Sequence, residues 1–156
     1  MSGVIMTGVL MGIGATAAMD IWAILLNRFA NIGLPNWGNV GRWVAHLPRW
    51  QHDDIGLAAP VSQEATIGWG FHYAVGVVYG VIFALIAGAG WLANPTFFPA
   101  WVFAILTIAA GWFILQPGLG AGWAASRTPT PWKVRGLGLA AHTVFGLGLW
   151  GTALAV

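Results

Sequence analysis

Residues 67–92 read IGWGFHYAVGVVYGVIFALIAGAGWL and contain no Asp, Glu, Lys or Arg. A helix needs about 20 predominantly apolar residues to cross a hydrocarbon core of about 30 Å. Three further predominantly apolar runs of about this length occupy residues 3–29, 97–115 and 137–156. The sequence therefore predicts an all-α, polytopic membrane protein whose four transmembrane helices form a bundle. We expect these helices at about residues 4–29, 63–92, 97–116 and 136–155 of a single domain, 1–156.

The composition excludes several other classes of protein. A chain that is 58% hydrophobic and 6% charged is too apolar for a soluble domain, and its six basic residues are too few for a nucleic-acid-binding surface. Because there is no cysteine, disulfides and thiolate metal sites are excluded. Any metal would need His, carboxylate or carbonyl ligands.

The basic residues indicate the orientation of the chain. They fall only between the first and second helices and between the third and fourth: Arg28, Arg42, Arg49, Arg127, Lys133 and Arg135. Loops rich in Lys and Arg stay in the cytoplasm. Both long connections are therefore predicted to be cytoplasmic and both termini to lie outside.

The first connection, residues 31–62, is predicted to contain a short amphipathic helix at the membrane interface. Its apolar residues recur at i, i+3, i+4 and i+7, as Val40, Trp43, Val44 and Leu47. Asn36 or Asn39 is expected to cap its start, and Pro48 to end it.

Small residues recur every four positions along the first, second and fourth helices, which lets helix backbones approach closely in lipid. Each of these ridges contains one ionisable side chain: Asp20, His72 or His142. Residue counts from the cytoplasmic boundary place all three about 10–12 Å inside it, and Gln116 on the third helix reaches a similar depth. We predict a buried polar layer made of these four residues.

Four interpretations of this layer remain open. Two imidazoles and a carboxylate suit iron, zinc or manganese, and two histidines alone suit a haem. A proton relay or small-molecule site would use the titration of His near neutral pH. The fourth interpretation is purely structural hydrogen bonding between helices.

The second connection, residues 117–135, is rich in glycine and proline. Glycines allow backbone amides to converge on an anion, and a basic side chain with hydroxyls would complete a site for a phosphate or carboxylate. We predict an anion or lipid-headgroup site here, at Gly118, Gly120, Gly122, Ser126, Arg127 and Thr128. The alternative is an ordinary cytoplasmic loop in which Arg127 serves only to fix the topology.

Several motifs resemble one family. They are GATAAMDIW at 14–22, VGRW at 40–43 followed by His46, His72-Tyr73, QPGLGAG at 116–122 and ASRTP at 125–129. Together they resemble a bacterial family of small integral inner-membrane proteins classed as domain of unknown function 2938. The resemblance implies a bacterial inner-membrane protein and no established activity. With the orientation indicated by the basic residues, both termini are then expected on the periplasmic side.

The predicted function is binding of a metal ion or small ligand at the polar layer. One alternative is a non-catalytic accessory subunit of a larger membrane complex, and a homo-oligomer would also suit the glycine ridges. Another is a proton-coupled transporter or a membrane-embedded enzyme that uses Asp20 with a histidine as acid and base. The enzyme site would extend to the polar residues His46, His52, Asp53 and Asp54.

Overall fold

The computed structural model describes residues 2–49 and 54–156. Within these ranges the chain is all-helical, without a β-strand, as predicted. The five helices are α1 (Ser2–Ala30), α2 (Trp37–His46), α3 (Glu64–Ala93), α4 (Phe97–Gly118) and α5 (Pro131–Ala155).

Four of these helices, α1, α3, α4 and α5, are long and apolar enough to cross a membrane. The prediction of four transmembrane helices from the apolar runs is therefore confirmed. Three of them run close to the predicted bounds, whereas α5 begins at Pro131, earlier than the predicted 136. Proline suits the first turn of a helix, since its missing N–H is not needed there.

The helix α4 changes its winding near its end. Regular α-helix ends at Ala110, a π-helical turn follows at Gly111–Leu115, and a short α-helical turn at Gln116–Gly118 completes the span. The backbone N–H of Gln116 donates to the carbonyl of Gly111, five residues earlier. Single π turns inside α-helices are rare and occur frequently at functional sites.

The chain divides into two compact units. The first comprises the chain up to Leu34, Tyr73–Thr107 and Leu139–Val156, and the second comprises Pro35–His72 and Ile108–Gly138. The helices α3, α4 and α5 each contribute residues to both. The core of the first unit is apolar and includes Met11, Ala15, Phe83, Phe145 and Leu149.

Glycines bring α1 and α3 together in the first unit. A methyl group on Gly12 would overlap the backbone of Gly76, and one on Gly8 would lie 2.7 Å from Cα of Val81. Thr16, fully buried on the same ridge, donates its hydroxyl proton to the carbonyl of Gly12 at 2.8 Å. The predicted small-residue ridges thus provide the close packing that helices in lipid require.

The second unit is built around α2. Asn36 caps this helix by accepting a hydrogen bond from the backbone N–H of Asn39 at 3.1 Å. Val40 and Trp43, on the predicted apolar face, are 4% and 3% exposed. This face therefore packs inside the unit, where Trp43 forms a core with Ile55 and Ala58.

Candidate functional site

Asp20 on α1 is held by a tyrosine. The hydroxyl group of Tyr73 on α3 donates to Oδ2 of Asp20 at 2.8 Å, and both residues are partly buried in the first unit. Because both lie in membrane-spanning helices, this hydrogen bond forms away from bulk water, where an ionisable side chain needs a partner. The sequence analysis selected Asp20 and did not select Tyr73, although Tyr73 directly follows His72.

His72 belongs to the second unit and lies against aromatic rings. Its imidazole stacks on the indole of Trp37 with 4.0 Å between ring centroids and 27° between planes. Trp69 meets the same imidazole edge-on at 5.9 Å. Trp37 is the first residue of α2, so this contact joins α2 to the first turns of α3.

Gln116 ends the π-helical turn of α4. Its side-chain oxygen Oε1 is buried and accepts no hydrogen bond from any residue in 2–49 or 54–156. The indole nitrogen of Trp112, four residues earlier, is likewise buried and donates to no described group. A methyl group on Gly138 of α5 would lie 3.4 Å from this nitrogen.

An acceptor and a donor therefore lie about one turn apart on the same helix, both without protein partners within the described ranges. In a membrane-spanning segment each such group costs several kcal/mol, because lipid supplies no hydrogen bond. Trp22 and Trp91 in the first unit also have buried indole N–H groups without a described partner. Trp112 differs from these two in lying four residues before Gln116 on the same helix.

His142 lies on α5 in the first unit and is partly buried. Its neighbour in sequence, Thr143, accepts a hydrogen bond from the indole of Trp101 on α4 at 3.2 Å. The four predicted layer residues thus divide between the units, with Asp20 and His142 in the first and His72 and Gln116 in the second.

The metal interpretation gains no support from this arrangement. Across the described parts of the chain, no three His, Asp or Glu residues are grouped so that they could hold a metal ion. The neighbours seen for Asp20 and His72 are a phenol and indole rings.

An ion pair joins α2 to the start of α3. Arg42 donates from Nε to Oε1 of Glu64 at 2.6 Å and from its terminal nitrogen to Oε2 at 3.0 Å. The backbone N–H of Val61 also donates to Oε1, at 2.8 Å. The hydrogen bond to Glu64 is the main cause of a raised pKa for Arg42, and partial burial opposes it.

Buried side chains and glycines surround this ion pair. His46 is 4% exposed, and its Nδ1 lies 2.9 Å from the carbonyl oxygen of Arg42. A methyl group on Gly41 would overlap the carbonyl of Glu64, so the two helices touch through their backbones. From the sequence, Arg42 was used only to predict the orientation of the chain in the membrane. The sequence did contain an indication of this pair. Glu64 is a lone acidic residue at the start of the second apolar run, and the predicted helix before that run contains Arg42.

The remaining surface residues proposed for an enzyme site are only partly described. His52 and Asp53 lie outside the described residues. Asp54 accepts a hydrogen bond from the backbone N–H of Gly56 at 3.1 Å and caps a short 3-10 turn at Ile55–Leu57. Its side chain also lies against Gly120, whose φ is +81°.

The glycine-rich loop uses most of its amides internally. The backbone N–H groups of Gly120, Ala121, Ser126, Arg127 and Thr128 all donate to loop or helix carbonyls at 2.9–3.1 Å. The hydroxyl of Thr128 donates to Ala125 at 2.7 Å. These five amides stabilise turns of the loop. Gly118 allows close packing against Trp43, because any side chain at this position would overlap the Trp43 ring.

The chain was compared with known proteins. The model of a family described as "Protein of unknown function (DUF2938)" matches residues 9–156. Neither the curated proteins nor the solved structures include one that matches this chain.

Proposed function

This chain belongs to the DUF2938 family of proteins of unknown function, and we propose that it is a membrane protein that binds a small polar molecule at Trp112 and Gln116. The observation that carries the proposal is the pair of unsatisfied groups in the π-helical turn, among the described residues. A ligand with an acceptor for the indole N–H and a donor for the amide oxygen satisfies both. An amide or a hydroxyl-bearing molecule has this chemistry.

The energetics favour a bound molecule over two permanently unsatisfied groups. Leaving one buried polar atom unpaired costs about 1–3 kcal/mol, which is a large share of the stability of a typical domain. A phenylalanine and a leucine would fill similar space without that cost. Retaining both polar groups therefore needs a compensating interaction, and a hydrogen-bonded ligand supplies one.

The ligand should be small and uncharged. Residues 97–118 contain no charged side chain, so this segment offers no counter-ion. His72 belongs to the same unit and was predicted at a similar depth, which makes it the next residue to examine. Asp20 and His142 belong to the other unit.

The proposal is tested by two substitutions, and the first of them changes stability in opposite directions with and without a bound ligand. Gln116→Leu keeps the side-chain volume and removes the carbonyl. In protein purified in mild detergent, loss of a bound ligand lowers the melting temperature. If the carbonyl is merely unsatisfied, its removal raises the melting temperature by about 2–4 °C per kcal/mol gained.

Trp112→Phe removes the indole N–H, and Trp91→Phe is its matched control. Both variants lose the same ring volume and the same kind of unsatisfied donor. The proposal predicts that Trp112→Phe lowers the melting temperature more than Trp91→Phe does. Equal effects, together with a stabilising Gln116→Leu, would contradict it.

A further inference from the structure

Two exposed tryptophans flank the loop between α4 and α5. Trp123 is 68% exposed and Trp132 is 79% exposed. Trp123 meets the ring of Phe113 on α4 edge-on at 5.9 Å, and Phe113 is itself 49% exposed. These rings form an aromatic surface at the end of a membrane-spanning helix, where indoles favour the level of the lipid headgroups.

Basic side chains accompany the aromatic rings. Arg127 and Lys133 are exposed, and the guanidinium of Arg135 lies 4.5 Å from the centre of the Trp132 ring. No acidic residue follows Glu64 in the sequence. This part of the chain therefore combines three cations with two exposed indoles. Such a combination complements a negatively charged membrane surface.

The local backbone keeps the aromatic surface in place. Ala124 and Ala125 have φ values of +47° and +60°, a left-handed conformation that costs alanine about 1–2 kcal/mol per residue. Nε of Arg135 donates to the carbonyl of Ala124 at 2.7 Å, which ties the start of α5 to this turn. The same guanidinium thus contacts the turn after Trp123 and the ring of Trp132.

We infer that this surface, made of Trp123, Arg127, Trp132, Lys133 and Arg135, binds the headgroups of anionic phospholipids. The cations contact the phosphate, and the indoles lie between the headgroups and the acyl chains. Binding uses side chains, and the backbone N–H of Arg127 already donates to the carbonyl of Ala121. The surface is separate from Trp112 and Gln116, and this inference does not depend on the proposed function.

The test measures lipid selectivity in reconstituted vesicles of phosphatidylcholine. Spin-labelled phosphatidylglycerol and spin-labelled phosphatidylcholine with identical acyl chains compete for the surface of the full-length protein. We expect the wild type to select phosphatidylglycerol, with selectivity falling as salt rises. Each basic residue contributes up to about fivefold, so Lys133→Gln should lower the selectivity by up to that factor and Arg127→Gln/Lys133→Gln by more.

Two control variants make the result specific. Lys133→Arg keeps the charge and should keep the selectivity. Arg28→Gln removes an exposed cation from the last turn of α1, which is not part of this surface, and should change the selectivity less than Lys133→Gln does. The inference is wrong if the wild type does not discriminate between the two lipids, or if Arg28→Gln has as large an effect as Lys133→Gln.

Discussion

Tyr73 and Asp20 show how a hydrogen bond between helices helps to accommodate a carboxyl group inside a transmembrane helix. The 2.8 Å bond joins α1 to α3 in the first unit, where glycines already bring the two helices into contact. The phenol satisfies one carboxyl oxygen without adding a second charge. The sequence analysis found Asp20 because an ionisable residue stands out in an apolar run. It did not find Tyr73, because tyrosine is ordinary in membrane helices.

A double-mutant cycle measures this bond. Tyr73→Phe removes the donor and Asp20→Asn weakens the acceptor, and each should destabilise the protein. Their coupling energy should be about 0.6–1.7 kcal/mol, the range known for side-chain hydrogen bonds between transmembrane helices. The measurement is reversible unfolding in mixed detergent micelles. Additive single effects would show that the bond contributes nothing.

Gly12 tests the close contact between α1 and α3. A methyl group there would overlap the backbone of Gly76, and backbone cannot move aside cheaply. Gly12→Ala should therefore cost about 1–3 kcal/mol, as overpacking does. Gly70→Ala is the control, because a Cβ at Gly70 meets nothing within 4 Å. That variant should be neutral or more stable by up to about 1 kcal/mol. Destabilisation of equal size in both variants would contradict the contact.

Helix α2 illustrates how much of an element the sequence predicts. The i, i+3, i+4, i+7 pattern and the cap at Asn36 were sufficient to place it. The pattern could not show what covers its apolar face, since membrane and protein interior select the same residues. The Arg42–Glu64 pair and the Gly41 contact provide that information.

Glu64→Gln tests the attachment of α2. The change removes the charge that pairs with Arg42 while leaving a side chain of the same shape. We expect faster hydrogen–deuterium exchange of the amides in residues 37–46, because the guanidinium loses a bidentate partner. Arg28→Gln serves as the control and should leave exchange in α2 unchanged. Unaltered exchange in Glu64→Gln would mean that the ion pair does not contribute to holding α2 in place.

Two other elements show why prediction from sequence stops short of the site. Residues 131–135 were predicted to belong to the loop because they include the charged residues Lys133 and Arg135. Long basic side chains can nevertheless lie in the first turn of a transmembrane helix, since their charged ends reach water. The π-helical turn contains one extra residue per turn of backbone. A single such turn produces no recurring pattern of apolar residues, so the sequence does not reveal it. Gln116 was therefore selected by depth, whereas Trp112 was missed.

At the scale of the whole molecule, four membrane-spanning helices require that both termini lie on one side. From the positions of the basic residues we predict that the two long connections, 31–63 and 117–130, face the cytoplasm. Because the chain has no cysteine, single substitutions can report this directly. Ser2→Cys and Thr96→Cys should react with a membrane-impermeant thiol reagent in intact cells. Ser62→Cys and Thr130→Cys should react only after the membrane is opened. The reverse pattern would overturn the proposed orientation.

Native mass spectrometry of the intact protein shows whether Trp112 and Gln116 hold a small polar molecule. The account predicts a species heavier than the 16.5 kDa chain by one small organic molecule. That molecule should be retained in Trp91→Phe and lost in Gln116→Leu. A wild-type protein that carries no such molecule, or one that persists unchanged in Gln116→Leu, would contradict the account.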